Sequence, residues 1–124
     1  MAARILVVDD SKAIRPLLGV VLRKAGHTVI EAGDGRQALE RFAAERVDLI
    51  LCDLIMPALD GLSFVRELRA LPAGVATPVI MLTTECQEAG KQEGKALGVK
   101  AWIVKPFVPE QIVEAVGRLL PAAG

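Results

Sequence analysis

The sequence predicts a doubly wound α/β fold in which five helices cover a five-stranded parallel sheet. Three observations predict it. Short apolar runs alternate five times with segments of helical period, the connections between them are brief, and the polar groups left unexplained fall where the apolar runs stop.

The first run, Ile5 to Val8, is β-branched and leucine-rich and ends at Asp9-Asp10. Ser11 is a candidate cap for the helix that follows. That helix is placed from about Ala13, so that Pro16 falls in the first turn, where its missing N–H costs nothing. Leu17, Leu18, Val21 and Leu22 form its expected apolar stripe and Gly26 ends it. His27 to Ala32 reads as the second strand, Gly33 to Gly35 as a turn, and Ala38, Leu39 and Phe42 as the buried side of the second helix.

The third strand lies in VDLILCDLIMPALDG, Val47 to Gly61, around which the rest of the chain is arranged. Leu49 to Cys52 is apolar throughout, as in a strand covered on both faces, and it delivers one carboxylate, Asp53, where the run breaks. Pro57 and Asp60-Gly61 then take the chain through a turn, so Asp53 is expected on a solvated rim. Leu62 to Leu71 is the third helix, with Leu62, Val65, Leu68 and Arg69 in helical period, and Pro72 to Gly74 breaks it.

Pro78 to Leu82 is the fourth strand and runs into Thr83, Thr84 and Glu85. The following helix, Gln87 to Leu97, is the weakest, because Gly90 and Gly94 each cost about 1 kcal/mol relative to alanine in a helix interior and Leu97 is its only large apolar residue. It is expected to shift easily. Ala101 to Val104, with the sole tryptophan Trp102, is the fifth strand and ends at Lys105-Pro106. The last helix starts at Pro109 and is expected to bury Ile112, Val113, Val116, Leu119 and Leu120 before Pro121.

Length allows one domain, residues 1–124, with a core that needs neither disulfide nor structural metal. Fifteen basic and fifteen acidic side chains cancel, which gives no overall field for nucleic acid or an anionic membrane. Cys52 and Cys86 lack the spacing of a zinc or redox motif and read as reduced thiols of a cytosolic protein. The N-terminus meets acids too soon for a signal peptide, and no apolar run approaches the length of a membrane span. A soluble, cytoplasmic protein is expected.

In a parallel sheet of this kind the ligand site lies beyond the carboxyl ends of the strands, at the point where strand order reverses. Asp9 and Asp10 follow strand one, Asp53 ends strand three, Thr83 ends strand four and Lys105 ends strand five. All of them fall on one edge. Carboxylates in close contact repel by about 4 kcal/mol per pair at an effective dielectric near 20, so three together call for a cation. Mg²⁺ suits them, because it takes oxygen ligands and is commonly shared between carboxylates and a phosphate. A lysine and a hydroxyl on neighbouring strands would then bind phosphoryl oxygens, and a carboxylate is itself a competent nucleophile for an aspartyl phosphate.

With Asp9-Asp10-Ser11, the Asp53 to Gly61 segment containing Met56-Pro57, Thr83 and Lys105-Pro106-Phe107 in order along the whole chain, the sequence resembles a response-regulator receiver domain. The resemblance implies a flavodoxin-like sheet of order 2-1-3-4-5. It implies that Asp53 accepts a phosphoryl group from a sensor histidine kinase, that Asp9, Asp10, Asp53 and the Ile55 backbone carbonyl hold Mg²⁺, and that Thr83 and Lys105 bind the phosphoryl oxygens. It further implies that Thr83 and Trp102 move on activation and that the signal leaves through the fourth helix, fifth strand and fifth helix. The segment from Thr83 to Phe107 is most similar to single-domain chemotaxis regulators of the CheY type, whose implied partners are the kinase, a downstream protein such as the flagellar motor switch, and a phosphatase. A relay intermediate, a phosphate sink, a pilus-motility regulator and a receiver excised from a larger regulator are the alternatives.

Three positions depart from the family's usual residues: Ile55 is apolar where many relatives are polar, Thr84 is larger than the common alanine or glycine, and Trp102 replaces tyrosine or phenylalanine. The first two bear on how fast an acyl phosphate is hydrolysed. Plainer readings stand beside the sharp ones. Asp9-Asp10 also suit helix capping, Asp60-Gly61 a simple turn whose glycine supplies unusual backbone angles, Thr83 a strand end and Lys105 a solvated charge. Trp102 is either a moving switch or a stationary packing residue, and Lys91, Lys95 and Lys100 form a solvated face or meet an acidic partner. His27 as a phosphocarrier and Cys86 as a functional thiol have little behind them.

Other function classes fit less well. A phosphatase or phosphotransferase of the haloacid-dehalogenase type needs an Asp two residues after its nucleophile, where this chain has Ile55. A P-loop is excluded because Gly90 and Gly94-Lys95 are too close and Ala96 stands where Ser or Thr belongs. A flavin-phosphate binder would gain nothing from clustered carboxylates beside its anionic cofactor.

Overall fold

A computed structural model describes residues 3–56, 59–83 and 88–120. Strands β1 (Arg4–Val8), β2 (Thr28–Ala32), β3 (Leu49–Asp53), β4 (Val79–Thr83) and β5 (Ala101–Val104) alternate with helices α1 (Ile14–Lys24), α2 (Gly35–Ala44), α3 (Gly61–Arg69), α4 (Glu88–Ala96) and α5 (Pro109–Leu119). A single 3₁₀ turn, Pro72–Gly74, follows α3. The strands form one parallel sheet of order β2-β1-β3-β4-β5, the expected doubly wound arrangement.

Alternation along each strand divides the core in two. Leu6, Val8, Ile50, Cys52, Val79 and Met81 face α2 and α3, where Ala38, Phe42, Phe64, Val65 and Leu68 cover them. Ile5, Val7, Leu49, Leu51, Ile80, Leu82 and Ile103 face α1 and α5, against Leu18, Leu22, Ile112 and Val116. Both faces of β3 and β4 are therefore dry, which is why those strands read as unbroken apolar runs.

The helix ends follow local chemistry. Ser11 Oγ accepts from the N–H groups of Ala13 and Ile14, while Asp34 and Asp60 cap α2 and α3 through Gln37 and Ser63. Gly26 ends α1 with φ +95°, a region that glycine alone enters without strain. At α5, Pro109 is in the first turn and the Gln111 side chain accepts from the Val108 N–H.

Some expected core positions lie outside it. Leu17 is 50% exposed and Val113 39%, whereas their neighbours Leu18 and Ile112 are fully buried. One residue turns a helix by about 100°, so of two adjacent apolar residues only one points at the sheet. Leu119 and Leu120 are partly buried against the core. Pro57, Thr84, Cys86 and Pro121 are outside the described residues. No helix among the described residues is long and apolar enough to cross a membrane.

Candidate functional site

The switch point of the sheet lies between β1 and β3, which are neighbours although β2 intervenes in sequence. At their carboxyl ends the fold gathers Asp9, Asp10 and Asp53, each offering a carboxylate oxygen within 4.8 Å of the others. Asp9 is fully buried and Asp10 exposed, so the group forms a cleft with a dry floor and an open rim.

Asp53 is only 8% exposed. The expectation that a strand end would present it to solvent is thus corrected: Lys105 and Asp9 stand against its carboxylate, and the start of α3 lies against its backbone. Gly61 N–H donates to the Leu54 carbonyl at 2.8 Å, and Leu54 N–H to the Leu82 carbonyl at 2.8 Å. A Cβ on Gly61 would stand 2.5 Å from the Asp53 carbonyl oxygen and 2.9 Å from Leu54 Cα. Glycine is needed there for close approach, not for an unusual φ, and Asp60 beside it is a helix cap as well as a turn residue.

Lys105 supplies the counter-charge. Its Nζ lies 3.1 Å from Asp53 Oδ2 and 3.4 Å from Asp9 Oδ2, with its side chain 13% exposed. Its backbone N–H donates to the Thr83 carbonyl at 2.7 Å, and a cis peptide joins it to Pro106. Strand pairing and this hydrogen bond hold Lys105 beside Thr83, itself 2% exposed at the end of β4.

Burial pushes the Asp53 carboxyl above its ordinary value. The Lys105 hydrogen bond and charge pull it back, Asp9 adds to the rise, and the Ile55 N–H, 3.4 Å from Asp53 Oδ1, lowers it. The neighbouring Cys52 thiol is raised well above its usual range by burial first and then by Asp53, Asp9 and Asp60. Cys52 is therefore an inert thiol, donating to the Asp53 carbonyl at 3.2 Å.

The remaining expected residues sit around this cleft. Ile55 follows Asp53 on the rim and is 64% exposed. Trp102 is partly buried on β5, paired with Met81 and on the same sheet face as Thr83. Arg15 had no signal in the sequence; its guanidinium donates to the Asp9 backbone carbonyl at 2.9 Å and pairs with Glu31 at 3.2 Å, fixing the loop that carries the acid pair. Ser11 N–H donates to Asp9 Oδ1 at 2.8 Å, so Asp9 orients its own loop while facing the cleft.

The family model for the response regulator receiver domain matches residues 5–117. The chain belongs to that family. Its receiver fold is similar to chemotaxis protein CheY4 of Vibrio cholerae, at 42% identity and TM-score 0.93, covering 97% of this chain and 100% of that one. It is also similar to the receiver domain of sensor histidine kinase PA1611 of Pseudomonas aeruginosa PAO1, at 30% identity and TM-score 0.87 over 96% of this chain and 98% of the other. That structure has a magnesium ion coordinated in its active site cleft. Transcriptional regulatory protein ResD of Bacillus subtilis is 41% identical over 120 residues, 97% of this chain but 49% of ResD. The chain spans about half the length of the curated transcriptional regulators it matches. Receiver domains accept phosphoryl groups from histidine kinases, bind Mg²⁺ in an acidic pocket and act as signalling switches rather than classical enzymes.

Proposed function

We propose that residues 1–124 form one receiver unit in which Asp53 is the phosphoryl acceptor. The observation that carries this reading is Lys105 Nζ, placed between Asp53 and Asp9 within a cluster of three carboxylates. The cluster offers only oxygen donors, two buried and one exposed, which fits a hard cation that keeps part of its water. Asp9, Asp10, Asp53 and the Ile55 carbonyl would hold Mg²⁺. The ion, when bound, neutralises charge that builds up on the transferring group.

The chain's own residues do the rest. An Asp53 carboxylate oxygen attacks the phosphorus of the kinase's phosphohistidine, the P–N bond breaks, and the imidazole leaves with the bonding pair. Lys105, released from its ion pair with Asp53 as that carboxylate becomes an acyl phosphate, binds a phosphoryl oxygen, and the Thr83 hydroxyl binds another. Movement of Thr83 is passed to Trp102 on the same sheet face and to α4, so that phosphorylation shifts an equilibrium between two arrangements. Ile55, apolar and exposed on the rim, obstructs attacking water, and Ile55→Asn should shorten the phosphoryl lifetime.

The specific role proposed is cytoplasmic chemotaxis control through the surface of α4, β5 and α5, supported by the likeness to CheY4 over the full length of that chain. A second reading, the receiver half of a longer regulator, is favoured by the regulators of which this chain spans half. The test is intact mass after acetyl phosphate with Mg²⁺. One added phosphoryl group, absent in Asp53→Asn and absent without Mg²⁺, is the expected result. No phosphorylation of the wild type with any donor would sink the reading.

A further inference from the structure

Trp102 is seated on a glycine. From Lys91 to Ala96 the exposed or half-exposed positions of α4 are interrupted by one buried residue, Gly94. A Cβ on Gly94 would overlap Trp102 Cζ2 outright and would stand 3.0 Å from Cη2 and 3.4 Å from Val99 Cγ2. The far edge of the indole therefore lies against bare α4 backbone, in space that any other residue would fill.

The same point of α4 is held firmly. Val99 N–H returns to the Gly94 carbonyl at 2.8 Å and Gly98 N–H to Lys95 at 3.0 Å, with Gly98 at φ +82°. These are the paired bonds of a glycine-terminated helix. Arg69 on α3 donates to the carbonyls of Leu97 at 2.8 Å and Gly98 at 3.4 Å, and Arg66 pairs with Glu93. With its C-terminal end pinned, α4 cannot slide away from the indole without breaking these bonds.

We propose that Gly94 is a positioning residue for Trp102: its missing side chain makes the socket that holds the indole in the resting arrangement, so that Trp102 and α4 leave that arrangement together. The regulatory half of this proposal rests on the reading of Thr83 and Trp102 given above, and the packing half does not. A glycine at this point of a helix is costly by propensity, and the socket explains why the helix carries it.

Four proteins test it: wild type, Gly94→Ala, Trp102→Ala and the double variant. Alanine is the stronger helix former, so Gly94→Ala should raise the thermal midpoint in the Trp102→Ala background and lower it in the presence of Trp102. A rise in both backgrounds overturns the socket. In Gly94→Ala the emission of Trp102, the only tryptophan, should shift to the red and its quenching by acrylamide increase; an unchanged spectrum also overturns it. If Gly94→Ala does not fold, a double variant with a midpoint above Trp102→Ala supports the socket, and failure of both overturns it.

The regulatory half is read by titrating beryllofluoride with Mg²⁺ and following Trp102 emission. Destabilising the resting arrangement should lower the midpoint at least about twofold in Gly94→Ala. An unchanged midpoint with a displaced indole overturns that half alone. No Trp102 response in wild type or variant, with the wild type still phosphorylated by intact mass, overturns the regulatory half alone; no phosphorylation with any donor removes the phosphoryl-acceptor reading as well, and the stability cycle decides the socket in either case.

Discussion

The two outer helices at the β5 edge are held in different ways. α5 buries Ile112 and Val116 against Leu18 and Leu22 of α1 and the inner strands, so its position is set by non-directional aliphatic packing. α4, from Lys91 onward, places only Gly94 in the interior and is held by Arg66, Arg69 and the indole of Trp102. Packing of the first kind resists displacement in every direction. Contacts of the second kind have discrete partners, and a rearrangement at one of them moves the helix as a unit. A switch surface is best built where the fold is fastened by such contacts, and α4 has more of them than α5.

Substitutions should reproduce this contrast. Ile112→Ala is expected to cost about 2–5 kcal/mol in global unfolding by urea, because a fully buried side chain leaves a cavity. Arg69→Ala should cost less, about 2 kcal/mol, from loss of charge-assisted bonds to the carbonyls of Gly74, Thr77 and Leu97. Its distinguishing result is local: amide exchange should accelerate in α4 and the turn after it more than in α5. Equal acceleration in both helices would erase the comparison. Glu93→Gln, which removes an ion pair exposed on both sides, should change global stability by no more than about 0.5 kcal/mol. A larger loss would mean that the Arg66 contact, and not Arg69 or Trp102, is the principal fastening of α4.

The fold was legible because four of the five apolar runs stop at a polar residue: Asp9, Asp53, Thr83 and Lys105 mark the carboxyl ends of β1, β3, β4 and β5, and parallel topology puts them on one edge. The same residues made the candidate site legible. Distances, burial and pairings within it were not, since they depend on how loops close. Asp53 lies at 8% exposure with Lys105 Nζ and Asp9 against its carboxylate, and Gly61, whose missing side chain lets α3 begin against the Asp53 carbonyl, was marked in the sequence only as part of a turn. Arg15 drew no reading and Arg69 only a place in the helical period of α3, because their acceptors are backbone carbonyls, which every residue carries and which leave no trace in a sequence. Gly94 looked like a defect in a weak helix. Only the position of Trp102 across the gap to β5 shows what the defect accommodates.

The opposite rim of the sheet offers a smaller effect that sharpens the contrast, since His27 joins α1 to β2 on the firmly packed side. Its Nδ1 accepts from the Ala3 N–H at 3.1 Å, which requires the neutral imidazole at that nitrogen. Burial lowers its pKa below the ordinary 6.5, with the positive N-terminus adding to the shift. The unfolded chain therefore takes up this proton at higher pH than the folded one, and stability rises with pH between the two values. The contribution is present above the unfolded value and is lost as pH falls through the folded one. The wild type should lose midpoint stability relative to His27→Gln as pH falls from 7.5 to about 5. The difference should appear in global unfolding and leave the Trp102 emission of the folded state unchanged. A pH-dependent Trp102 signal that vanishes in His27→Gln would show that the packed side of the sheet is coupled to α4 after all.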